Sequence, residues 1–412
     1  MEDQEIGKRL QAARRQRGRS LRELAELAGL SAGFLSMVEN GQRRLSRTEH
    51  INALAQALFI APSELTGQPY APSDPSTAGA HEAIPALRLA LMGMSVGEAP
   101  DALGDLPLLP ALRVRVLEAN RLYHSCEYAT LARKLPALLT ALHSAVGSAS
   151  AADRPEHLRL LADAYHPACT LLLKGLGYTD LAFIAVTRGA DAIRELDDPV
   201  YTALSGFFHT HVLMAAGSPV QALARAEQAA LLVERHLRTP QDHALLGELH
   251  LIRATCMTQD KHRPGEERSR DVQSHLAEAA DLAARTGETK AWHLNFGPTN
   301  VGIHQVSLNT DLGLHGEAVT ASSGVQAEAL SAMKAPGRKA AFNADLGRSL
   351  AHVRGKDAEA VTRLLVAEQA APQRVHVNPL VRSTVADLLD RQLPKSSARD
   401  LRGLAHRMGL QL

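Results

Sequence analysis

Aromatic residues make up only 3% of this 412-residue chain, and there is a single tryptophan. A core built from such a sequence must be leucine and alanine, which favours helices packed closely on helices over a sandwich of bulky strands. Cysteine is scarce too. Cys126, Cys169 and Cys256 stand far apart without C-x-x-C or metal-ligand spacing, so they read as reduced core thiols, and neither a disulfide framework nor a metal site is expected. Charge of one sign is also lacking, the formal net charge being +1. No apolar run approaches the length of a membrane span, and the acidic start from Met1 to Glu5 is unlike a secretory leader. A cytoplasmic protein with no membrane partner is expected.

Catalytic signatures are missing as well. There is no H-E-x-x-H, no Walker loop, no G-x-G-x-x-G and no G-x-S-x-G. His81-Glu82-Ala83-Ile84-Pro85 lacks the second histidine of a zinc protease and runs into proline. His209 and His211 are two residues apart, so on a helix their rings diverge by about 200° and do not chelate together. The expectation is a chain that is not an enzyme and needs no cofactor.

What is present begins at Ser20. Residues Ser20 to Arg47 read as two short helices joined by a tight turn. Ser20 and Glu23 form an S-x-x-E capping box, Leu24, Ala25 and Ala28 an apolar stripe, and Gly29 the turn. Ser31 then caps a second helix whose Phe34, Leu35 and Val38 share a face, and Asn40-Gly41 closes it. Its opposite face, Ala32, Gly33, Ser36 and Met37, carries no charge, as a surface entering a groove should not. Cations crowd around this pair: Lys8, Arg9, Arg14, Arg15, Arg17, Arg19 and Arg22 before it, Arg43, Arg44 and Arg47 after it. A charge cluster alone is as well explained by a solvated face, but joined to this turn it points to phosphate contact. Arg19, Ser20, Arg22, Ser31, Ala32, Gly33, Ser36, Met37, Gln42, Arg43, Arg44 and Arg47 are the candidate DNA-contacting residues. Ser46 with Glu49 reads as a further capping box, and Phe34 and Phe59 read as core.

Ile6-Gly7-Lys8-Arg9-Leu10 with Ala13-Arg14, Leu24-Ala25, Gly29-Leu30-Ser31 and Val38-Glu39-Asn40-Gly41 together resemble the XRE class of helix-turn-helix domains, the lambda-repressor and Cro-like family, over about residues 5 to 66. The resemblance implies that Arg14 and Glu39 form a buried or half-buried pair bracing the first and third helices, and that the partner is double-stranded operator DNA. The chain departs from the family at Leu21, Ala32 and Gly33, where many members carry glutamine able to bond adenine. Ala32 is left to touch a thymine methyl, Ser36 to bond either base, and Arg22 or Arg43 to reach guanine.

Gly67 to Glu82, rich in proline, glycine and serine, reads as a linker. A helix is expected between residues 83 and 106. From about residue 107 the chain is a string of amphipathic helices with a recurring elbow, Gly and then Ala five residues on: Gly177 and Ala182, Gly217 and Ala222, Gly313 and Ala318, Gly355 and Ala360. The first two elbows lie 40 residues apart and the last two 42, with room for another unit around Leu276 to Ala279. Such a period without strand signals means stacked helical hairpins. Asp260 to Asp271 reads as a charged inserted loop.

The elbow, the small or adaptable Gly189, Ala229, Val325 or Ala367 seven residues beyond it, and Pro372 resemble tetratricopeptide repeats over roughly residues 107 to 412. The fold expected is therefore all-α: a lambda-repressor-like domain over residues 1–66, a linker over 67–82, and a tetratricopeptide-like solenoid over 83–412. Trp292, Asn295, Thr299, Asn300, His304 and Asn343 are the candidate ligand-binding residues, since asparagine amides offer donor and acceptor to a peptide main chain. A helix start with Thr299 or Asn295 as cap and Trp292 as packing explains the same run structurally. The pairing of two such domains resembles bacterial peptide-responsive quorum-sensing regulators, which implies a homodimer and a peptide or small-molecule effector. The alternative is a DNA-tethered scaffold whose repeats recruit a protein partner.

Overall fold

The computed structural model describes residues 2–45, 47–68, 75–93, 107–260 and 264–410, without the side chains of 2–5 and 75–77. Every regular element among them is a helix, and the one strand-like pairing is an isolated bridge between Thr289 and Phe296. Five helices form the N-terminal head: α1 (Glu2–Gln16), α2 (Leu21–Ala28), α3 (Ala32–Glu39), α4 (Thr48–Leu58) and α5 (Pro62–Thr66). Leu10, Leu24, Leu35, Leu54, Leu58 and Leu65 are wholly buried at its centre. Phe34 packs at the margin of that core. Phe59 does not enter it: it ends α4 in the left-handed conformation (φ 57°) and is 74% exposed. The core expectation fails there because the helix stop turns the ring outward. Ser46 lies outside the described residues, and Arg47 occupies the N-cap position of α4 without a side-chain cap.

Helical hairpins make up the remainder. Gly177, Gly217, Gly313 and Gly355 all have φ between 75° and 88°. That conformation carries little penalty only for glycine, and it lets the chain close one helix and start the next. At three of these elbows the closure is a Schellman bond, with Tyr178, Ser218 and Leu314 N–H donating to the carbonyls of Leu173, Leu213 and Asn309. Ala182, Ala222, Ala318 and Ala360 then lie wholly buried where the following helix presses on its neighbour. A larger side chain at any of them would hold the backbones apart. The unit expected near Leu276 to Ala279 is the hairpin of Pro240–Thr258 and Gly265–Thr286, with Ala279 fully buried. The helices Arg154–Asp163 and Leu171–Gly175 are joined by a buried π turn, Ala164–Thr170, whose wider spacing tolerates Pro167. All three cysteines are buried free thiols.

Two sequence expectations change. Pro75–Glu82 is helical rather than extended linker, and it packs on the helix Tyr128–Ser148, while residues 69–74 lie outside the described residues. Helix Ile84–Gly93 follows, and 94–106 likewise lie outside the described residues. The charged segment after Asp260 becomes helical from Gly265, because its glutamates suit a first turn.

The head is docked on the helical domain. Leu380, from the helix Pro379–Leu389, is buried in the head's own apolar cluster. Arg268 pairs with Glu49 at 3.0 Å, the Asn52 amide donates to Gln259 at 2.9 Å, and the Gln68 amide donates to the Val377 carbonyl at 3.0 Å. These partners are far apart in sequence, so the head bridges several hairpins.

Near the C-terminal end, Glu368 accepts from Arg407 at 2.7 and 2.6 Å and from His376 at 2.8 Å. Burial alone would raise its pKa, but these bonds outweigh it and hold the carboxyl down at about 2. A depressed carboxyl stabilises the fold above its unfolded pKa and loses that contribution as pH falls. Stability should therefore drop between about pH 4.5 and pH 2, and Glu368→Gln should flatten that part of a urea-unfolding profile against pH. At an elbow with open space around it, Gly355→Ala should cost about 1–2 kcal/mol from backbone strain alone, measured by the same unfolding.

Candidate nucleic-acid interface and internal chamber

The turn between α2 and α3 is fixed by local bonds. Glu23 N–H donates to Ser20 Oγ at 3.2 Å, and Ser20 N–H donates back to Glu23 Oε2 at 2.7 Å. Gly29 adopts φ 66°, Leu30 N–H closes on the Ala25 carbonyl, and Phe34 N–H donates to Ser31 Oγ at 3.1 Å. These caps set α3 in place, and Arg14 then braces it from α1. Its Nε and one terminal nitrogen each reach a Glu39 carboxylate oxygen at 2.7 Å, and its other terminal nitrogen donates to the Arg19 carbonyl at 2.9 Å. The Glu39 side chain is only 2% exposed, so the pair is a buried bidentate strut.

The recognition face is open. Ala32, Gly33, Gln42 and Arg43 are exposed, and Ser36 and Met37 are half-buried, with the Asn40 amide reaching Ser36 Oγ at 3.4 Å. Ser20, Ser31 and Arg22 are exposed and Arg19 half-buried around it. Arg43 stands 5.8 Å from the centre of the Phe34 ring. Arg44 and Arg47 are placed differently from the rest of the expected phosphate-contacting set. Arg44 bonds Asp387 and Asp390 of the helical domain, each at 2.9 Å. Arg47 lies against Gly313, beside the buried Arg348, which pairs with Asp311 at 3.2 Å and Asp345 at 2.8 Å. Arg44 is thus held by carboxylates at the end of the helix Pro379–Leu389, and Arg47 is half-buried against the Gly313 elbow.

The six residues expected to hold a ligand divide. Asn295 and His304 line a chamber of about 180 Å³ inside the helical domain, with Lys174, Glu248, Arg338 and Arg374. Asn300 stands behind it, wholly buried: its amide donates to Glu248 at 2.9 Å, and its oxygen accepts from Arg338. His304 Nε2 accepts from the same guanidinium at 2.9 Å. Trp292, Thr299 and Asn343 do not line the chamber. Trp292 packs edge-on to Tyr201 and donates to the Gln241 carbonyl at 2.9 Å. Thr299 N–H is capped by Glu288 at 2.8 Å, and the Asn343 amide donates to the Lys339 carbonyl. Trp292 is packing, as the structural reading has it, but neither Thr299 nor Asn295 caps the helix: Gly297 holds the N-cap position and the Glu288 carboxylate supplies the acceptor.

Burial and neighbouring positive charge tune the chamber. His124 Nε2 donates to the His293 carbonyl at 2.7 Å and its Nδ1 accepts from the Asn295 amide at 3.2 Å. Burial holds its pKa down at about 4, so the ring is neutral. Burial likewise holds His211 and His304 well below the usual range. Glu248 is pushed up by burial to about 7. Lys174, Arg338, Arg374 and His124 were not singled out in the sequence, where each is one polar residue in a separate helix, and His211 was weighed only as half of a chelating pair with His209.

A helix-turn-helix family model matches residues 10–65, the span of the head from the middle of α1 into α5. No curated protein and no solved structure matches the chain. The match covers the head alone, and residues 10–65 are similar to DNA-binding helix-turn-helix domains. Glu39→Ala should strand the Arg14 guanidinium against α3 and destabilise the head by about 3 kcal/mol, seen as an earlier unfolding transition.

Proposed function

We propose that the protein is a sequence-specific transcriptional regulator that works as a homodimer, and that its helical domain governs the head in response to a peptide or small molecule. DNA binding rests on the helix-turn-helix match. The observation that carries the regulatory part is the unequal fate of the head's contact surface: the uncharged rim of α3 is open while Arg44 is held by Asp387 and Asp390. Direct readout falls to Ser36, Gln42 and Arg43, and phosphate contact in the docked state to exposed cations such as Arg15, Arg17 and Arg22. Releasing Arg44 would add a further counterion-displacing contact.

The left-handed elbows with their buried alanines support reading the helical domain as tetratricopeptide-like. Its head-facing side is occupied by the head itself, which favours a sensor over a scaffold offering that side to another protein. A dimer fits the reading because two heads engage half-sites only at a fixed spacing along the duplex, so a change in head position alters occupancy.

Footprinting on the protein's own upstream region should show protected half-sites separated by whole helical turns, and absence of protection on any genomic fragment would remove the reading. Asp387→Asn with Asp390→Asn should free Arg44, tighten binding and steepen the dependence of log affinity on log salt by about one unit; an unchanged slope would show that Arg44 has no phosphate within reach. Ser36→Ala should change the ranking of operator variants, whereas Arg15→Ala should weaken all of them alike.

A further inference from the structure

Three cations converge on the internal chamber from three separate helices: Lys174 from Leu171–Gly175, Arg338 from Pro336–Leu350 and Arg374 from Pro372–His376. The chamber's lining holds one carboxyl among the described residues, Glu248, and its bond is to the Asn300 amide. The acceptors met by Arg338 are the Asn300 oxygen and the His304 ring. Arg374 stands against the hydroxyls of Tyr123 and Tyr128. Each of these acceptors is neutral. Burial, and then the fields of Arg374 and Arg338, hold the Lys174 ammonium down at about 8, and the one carboxyl present, Glu248, which favours the charged form of Arg338, sets a single partly ionised acid against three cations. Gathering like charges in a low-dielectric interior is unfavourable unless an anion completes the set.

We infer that this chamber binds a small multivalent organic anion, phosphorylated or polycarboxylate, with Lys174, Arg338 and Arg374 as its counter-charges. Leu171, Phe207, Ile252 and Leu294 supply an apolar wall for the carbon part of such a molecule. The volume of about 180 Å³ is below that usual for drug-sized ligands, so it admits only a small molecule or the charged end of a longer one. Tyr123, Leu171, Lys174 and Arg374 are also the floor of an adjoining cleft of about 350 Å³, whose opposite side is formed by Thr48 and Asn52 of α4 and by Thr66 of α5. An anion on Lys174 and Arg374 therefore sits one side-chain layer from the DNA-binding head. The inference names the effector class for the sensing reading above and rests on that reading only for its regulatory consequence.

The test uses the full-length protein and two probes, pyrophosphate and citrate, each against sodium chloride at matched ionic strength. Melting temperature should rise by about 2–4 °C with at least one probe at saturating concentration, pyrophosphate alone indicating a phosphorylated ligand and citrate alone a polycarboxylate. Lys174→Met and Arg338→Gln should each abolish the rise. Without any probe, Lys174→Met should melt at a higher temperature than the unaltered protein, because one uncompensated charge has gone, whereas a structural lysine would make the variant melt lower. Isothermal titration with the same probes gives a second readout if either variant folds poorly. No rise with either probe, or a rise that survives in both variants and so reflects the basic surface of the head, overturns the inference. Footprinting of the two variants without probe separates the two readings: retained protection with lost anion response supports both. Absent protection in the unaltered protein sinks the regulator and leaves the anion site to its own measurement.

Discussion

The closeness with which these helices approach one another is the constraint on which the rest of the molecule depends. A chain with 3% aromatics cannot fill wide gaps between helices, so it brings backbones together over alanine. The left-handed glycine ends one helix sharply enough for the next to return along it, and the alanine five residues later sits at the contact with no surface exposed. Repeated along the chain, this device makes a stack in which each hairpin is supported by its neighbours. It also fixes where polar groups must go. Arg348 points into the stack at a position where the other hairpins place Thr170, Thr210 and Val306, and it is tolerated because Asp311 and Asp345 meet it there.

That rigid stack presents its elbows and last helices to the head, and the two parts share charge. Arg268 answers Glu49 on α4, while Asp387 and Asp390 answer Arg44 beyond α3. The exchange runs both ways, a cation of the helical domain on an acid of the head and acids of the helical domain on a cation of the head, and it leaves the uncharged rim of α3 uncovered.

How much of this was legible in the sequence follows the range of the forces involved. Ser20 with Glu23, Gly29 and Ser31 act within a few residues, so the head's turn and caps could be read directly, and the elbow glycines declared the hairpins for the same reason. The Arg14–Glu39 strut spans 25 residues and entered only through family resemblance. That Arg44 also meets Asp387 was not legible, because the two lie 343 residues apart. Phe59 misled because hydrophobic character suggested burial while the helix stop turned it to solvent. Asn295 and His304 marked the chamber from one side, but its cations come from helices up to 200 residues apart, Lys174 to Arg374, and no periodicity links them.

Magnitudes decide which contacts hold the head. Arg44 and Asp387 are partly exposed, and Asp390 is 72% exposed, so in water these pairs are worth at most about 1 kcal/mol each. Burying Leu380 among the head's apolar residues contributes about 1.5–3 kcal/mol. Docking thus depends more on the apolar contact and the face of α4 than on the acid clamp, and its total lies within a few kcal/mol. A ligand that distinguishes docked from released heads by a hundredfold in affinity supplies about 2.7 kcal/mol, enough to redistribute them, while one that binds both equally moves nothing however tightly it binds. Under the anion proposal, the wall shared by the chamber and the cleft under α4 and α5 is where such a difference would arise, because Lys174 and Arg374 line both. Drawing those two side chains toward an anion would change the surface on which the head rests, and ion pairs as weak as those at Arg44 would be too small to resist the shift.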